Sequence, residues 1–200
     1  MNALDSTLAY VAAGALAFGL AAGPAAAAST TLSGDLGFHN SVVLISFDVA
    51  DSGAVSLWTD SWQSGLNVDP LLSLFSADGT LIEWNDDDAA ASAERAYDAG
   101  LSLALAAGSY RLTLTASLNA PVGSTLDQGF AHDAETPVAV PLWNQPSYDL
   151  NLNDQKGTFW RVTLDGVQQA AVVPEPQSAV LLAAGLLAVG LRLQRQRRAG

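Results

Sequence analysis

In the stretch VVLISFDV, residues 42–49, Val43, Ile45, Phe47 and Val49 fall on one face and Ser46 and Asp48 on the other. A helix cannot use a period of two, whereas a half-buried strand requires it. The rhythm returns in AVSLWT after the turn DSG, in LSLALAAGSYRLTLTASL, and in TFWRVTLDGV after Gly157. In the longest of these, Leu101, Leu103 and Leu105 precede a Gly108-Ser109 turn. Tyr110, Leu112, Leu114 and Ala116 then point inward and Arg111, Thr113 and Thr115 outward, which reads as a hairpin with one buried and one wet face. Short strands at turn-punctuated intervals, with no convincing internal helix, predict an all-β domain: an antiparallel β-sandwich, jelly-roll-like in its wrapping. The alanine-rich DAAASAERAYDAG offers at most one helical turn, capped by Asp88. Residues 119–157 break the rhythm with Pro121, Pro137, Pro141 and Pro146 among Asn and Asp. A stretch this long without regular structure is a functional or mobile excursion, expected to hold short strands at 138–143 and 147–152.

The two ends differ in composition from this middle. Residues 8–23, LAYVAAGALAFGLAAG, are apolar and lead into PAAAAST, where Ala26 and Ala28 are the small residues that a signal peptidase accepts. Residues 1–28 are therefore expected to be a secretory signal peptide, helical in its apolar part. Its first residues carry Asp5 and no Lys or Arg, so either the start lies upstream or the signal is weak. At the other end, residues 178–191 are uninterruptedly apolar or small. As a helix they span about 21 Å, short of a hydrocarbon core of about 30 Å. A span of 177–193, with arginines reaching for the headgroups, brings a thin bilayer within range. Arg192, Arg195, Arg197 and Arg198 then lie on the cytoplasmic side and the acidic middle outside. Pro174 and Pro176 bracket Glu175 and stop this transmembrane helix from running upstream.

VPEP, a short apolar helix and an arginine-rich terminus, in that order, resemble the PEP-CTERM sorting signal of Gram-negative bacteria. The resemblance covers about the last 27 residues. It implies that an exosortase recognises Pro174, Glu175 and Pro176 and processes the tail, so that an inner-membrane-anchored precursor becomes a surface or extracellular protein. The domain limits that follow are 1–28, 29–171 and 172–200. Within the middle, Asp69-Pro70, Leu72, Leu74, Phe75, Gly79, Asn85-Asp86-Asp87 and Ala107-Gly108-Ser109-Tyr110 are similar to the bacterial pre-peptidase C-terminal β-sandwich and related ectodomains of PEP-CTERM proteins. Val68 replaces the more usual Phe, and the proline-rich excursion departs from that compact pattern.

Between residues 29 and 173 the chain holds 18 acidic residues against Arg95, Arg111, Lys156 and Arg161. So acidic a surface repels phosphate backbones, which makes nucleic acid a poor partner and leaves divalent cations and neutral glycans open. Two readings of Asn85, Asp86, Asp87 and Asp88 stand. They form an Asx-rich turn that satisfies local amides, or, with Asp69 facing them across the hairpin, they hold Ca²⁺. Against calcium, the run lacks the glycine and closing glutamate of an EF-hand, and successive side chains on a strand point to opposite faces. Among five tryptophans, Trp58 and Trp62 bracket a loop and are the candidates for stacking on sugars, Trp62 being expected to be exposed. Trp84 and Trp160 read as core.

With no cysteine, thiol nucleophiles, disulfides and zinc-cysteine sites are excluded. His39 and His132 are the two histidines, far apart and without paired metal-ligand spacing. Nucleophile elbows, phosphate loops and dinucleotide fingerprints are missing. The sequence therefore predicts a non-catalytic structural or interaction protein of the cell surface or matrix, linked to exopolysaccharide or biofilm. A calcium-assisted carbohydrate-binding module is the alternative, and a small hydrolase a remote one.

Overall fold

The computed structural model describes residues 29–88, 96–145 and 156–174. Among the described residues nine strands are formed: β1 (Thr30–Asp35), β2 (Val43–Val49), β3 (Gly53–Thr59), β4 (Pro70–Ser76), β5 (Leu81–Asn85), β6 (Gly100–Leu105), β7 (Gly108–Ala116), β8 (Phe159–Asp165) and β9 (Gln168–Val173). They build two antiparallel sheets, ordered β1-β8-β3-β6 and β5-β4-β7-β2-β9, so the chain is an all-β antiparallel sandwich as expected. The pairs β1–β8, β2–β7, β3–β6 and β4–β5 nest inside one another. The first eight strands thus follow one long hairpin rolled across both sheets, and β9 lines up outside β2.

The alternation read from the sequence decides what lies between the sheets. One sheet contributes Val55, Leu57, Leu101, Leu105, Trp160, Val162 and Leu164; the other contributes Ile45, Phe47, Val49, Leu72, Leu74, Leu112, Leu114 and Ala116. Fully burying a side chain of this size contributes about 1.5–3 kcal/mol, which makes this layer the main source of stability. Trp160 needs special room: it sits opposite Gly34 in the β1–β8 register, and a Cβ at Gly34 would lie 2.9 Å from its ring. Gly79 turns the β4–β5 hairpin at a φ of +89°, where side chains are disfavoured.

Three expectations are corrected. β6 and β7 are not a hairpin: after Leu105 the chain crosses between sheets, so β6 pairs with β3 and β7 with β2 and β4. An alternating pattern fixes which face is buried but not which strand is the neighbour. The outward face of β7 is wet at Arg111, as expected, but not beyond it, since Thr113 and Thr115 are fully buried, as are Leu71, Ser73 and Phe75 beside them on β4. Thirdly, 138–143 is not a strand. It makes one bridge, Ala139 to Phe38, and then a 3-10 turn, Val140–Leu142. The second strand expected in the excursion, 147–152, and the alanine-rich turn at 89–95 lie outside the described residues.

The excursion explains the buried outer face. From Asn119, whose carbonyl accepts the Thr115 hydroxyl at 2.9 Å, a short ribbon pairs Pro121 with Phe130. Its tip, with Leu126 N–H donating to Gly79 C=O and Leu81 N–H to Ser124 C=O, docks on the β4–β5 turn. The chain then returns to bond Phe38 and His39, and Gln145 grips Asp69 through reciprocal bonds to its N–H and C=O of 2.9 and 3.0 Å. Residues 118–145 are thus a strap across one sheet. Among the described residues no helix is long and apolar enough to cross a membrane. The signal segment 1–28, including Ala26 and Ala28, and the tail from Glu175 onward, including Pro176 and the four arginines, lie outside the described residues.

Candidate functional site

The predicted acidic cluster divides in two. Asp86 accepts the Ser117 hydroxyl at 3.0 Å while Ser117 N–H donates to Asp69 C=O at 2.7 Å, so Asp69 and Asp86 gather around Ser117. Asn85 instead accepts Gly100 N–H at 3.0 Å, and the Asp88 carboxylate lies over the same glycine, 2.6 Å from where a Cβ would stand. Asp87 is exposed. Alternation at the end of β5 separates Asn85 from Asp86, while beyond the strand Asp88 N–H donates to Asp98 C=O at 2.8 Å and so returns to the side of Gly100.

A residue that sequence reasoning passed over organises the same end. Asp98, 1% exposed, accepts three hydrogen bonds at one oxygen: Thr59 Oγ1 at 2.7 Å, Ser61 N–H at 2.7 Å and Trp62 N–H at 3.2 Å. It thereby closes the loop that leaves β3. Burial raises the Asp98 carboxyl above its ordinary 3.8, against the lowering effect of these bonds. Burial raises Asp86 as well. Exposed Asp78 and Glu135 are lowered, chiefly by hydrogen bonds from Ser76 and His39 respectively.

A raised carboxyl makes the folded state hold protons that the unfolded state has released. Stability therefore falls as pH rises from 3.8 through the folded values, and is regained on acidification. Through Asp98 alone, acidification from pH 7 toward pH 4 adds stability, opposite in sign to the contributions of the lowered Asp78 and Glu135. In a calorimetric pH series Asp98→Asn should therefore gain less, or lose more, melting temperature on acidification than the wild type. Parallel wild-type and variant curves would contradict the assignment.

The expected exposures of Trp62 and Trp84 are exchanged. Trp62 is 8% exposed with its ring 4.8 Å from that of Tyr97, whereas Trp84 on edge strand β5 is 49% exposed. Trp58 is half-buried on β3, and Trp160 is core as expected. Trp84 stays open because β5 is an edge strand with a neighbour on one side only.

The strap also assembles a cluster that linear spacing concealed. His39, from the β1–β2 loop, is buried with its Nε2 3.0 Å from Glu135 Oε2, 96 positions away. Its Nδ1 accepts Val138 N–H at 3.1 Å, so Nε2 carries the proton that Glu135 receives. His132 lies with its ring centroid 5.4 Å from that of His39, and Trp143 closes the group at 5.2 Å from His39. One local signal was present: His132 and Glu135 share a turn in which Glu135 N–H donates to His132 C=O. Only the docking of the strap brings His39 to them.

A scan against protein-family models finds no match, and a search of curated proteins finds none.

Proposed function

We infer that the protein is an exported, exosortase-sorted surface or matrix protein with a structural or interaction role outside the cell. The observation that carries this reading is the position of Pro174. β9 ends at Val173, and Pro174 follows it exposed, at the end of an edge strand. Among the described residues both sheets are complete at that point, and Pro174, the first residue of Pro-Glu-Pro, stands exposed where the sandwich stops. The nested strand pairing supports a jelly-roll reading of the sandwich, with the signal helix and the 177–193 transmembrane helix as transient membrane elements before signal peptidase and exosortase act. A non-catalytic role is supported by the use of polar groups in the fold: Asp98 closes a loop, Asp86 holds Ser117, and Gln145 pins the strap.

Replacing Pro174, Glu175 and Pro176 together by alanine should leave the protein at precursor mass in the membrane fraction. Unchanged mass and location would contradict the sorting reading. Association with exopolysaccharide, the carbohydrate-binding alternative, is favoured by exposed Trp84 with exposed Ile82 on the same face of β5.

A further inference from the structure

We propose that His39, His132 and Glu135 form a transition-metal site, selective for Zn²⁺-like ions, that clamps the strap to the loop between β1 and β2. One ligand atom from each lies within 4.8 Å of the others. The 3.0 Å between His39 Nε2 and Glu135 Oε2 is close to the edge of about 3.3 Å that two 2.0 Å bonds make in a tetrahedral zinc site. His132 Nδ1 is buried and makes no hydrogen bond, an orphan lone pair or proton that a ligand would satisfy. Two imidazoles and one carboxylate suit zinc and its neighbours rather than calcium, which takes oxygen ligands throughout. This separates the cluster chemically from the acids around Asp86, and the inference does not rest on the sorting reading.

Binding changes one bond of the present arrangement. An ion at His39 Nε2 needs the lone pair there, so the ring proton moves to Nδ1 and Glu135 exchanges that proton for the ion. Nδ1 then ceases to accept from Val138 N–H, and the Val138 amide must turn away. The clamp is thus expected to fix the strap through the ion while releasing one backbone bond, a signature that a purely packed histidine pair lacks.

The test titrates Zn²⁺ alone and Co²⁺ alone into the chelator-treated full chain in detergent, followed by calorimetry, visible absorbance and the Val138 amide resonance. Expected are one ion per chain, the intense visible bands of four-coordinate cobalt, a shift of the Val138 resonance, and slower proteolysis of residues 118–145. His132→Phe keeps a ring against His39 and Trp143 but cannot ligate, and should weaken binding by at least about tenfold. Glu135→Gln, at an exposed side chain, should weaken it also, and decides the matter if His132→Phe fails to fold. Equal Zn²⁺ affinity in wild type and these variants, or no cobalt bands, would overturn the site.

Discussion

Replacing Asp98 with alanine is expected to destabilise the fold by about 3–5 kcal/mol, whereas Asp98→Asn should cost markedly less. The alanine removes the acceptor for two buried backbone N–H groups, of Ser61 and Trp62, and for the Thr59 hydroxyl. Each buried donor left unpaired costs about 1–3 kcal/mol. Asparagine retains one carbonyl oxygen in the same place and removes a charge that burial disfavours, which offsets part of the loss. Chemical denaturation of the two variants measures the difference directly. Equal losses would mean that the charge, and not the acceptor geometry, holds the loop.

Phe75→Ala should cost about 3–5 kcal/mol, the value for a core position. The magnitude is informative because Phe75 does not face the other sheet. In the β4–β7 register it stands beside Arg111 on the outer face, with Leu71 and Ser73, and is nevertheless fully buried. A wet outer face would give a cost well under 1 kcal/mol. A core-like cost therefore identifies the strap as a packing layer of the domain, and a small one would show that residues 118–145 are loosely held.

The alternation at Val43–Val49 and at Leu112, Leu114 and Ala116 made the sandwich legible, because burial against one face leaves a period-two record in any strand. What alternation cannot carry is pairing over long range, and so β6 and β7 were read as one hairpin. The strap was visible only as a break in rhythm: its prolines and asparagines make irregular backbone, whose docking rests on single bridges such as Phe38–Ala139 and on side chains such as Gln145. For the same reason Trp84 and Trp62 exchanged places, one lying on an edge strand and the other folded under the loop closed by Asp98. The acids of residues 85–88 were conspicuous in sequence, while the His39–Glu135 contact was not, since tertiary folding alone creates it.

If, as we propose, the mature protein is the sandwich alone, its mass depends on the enzyme that acts at Pro-Glu-Pro. Intact-mass analysis of the protein from cells with and without an exosortase reads this out. Expected in exosortase-bearing cells is a chain that begins near residue 29 and ends within the few residues following Val173, and in cells lacking the enzyme a chain that retains residues 177–200. The same C-terminal mass in both, with the arginine-rich tail still attached, would contradict it.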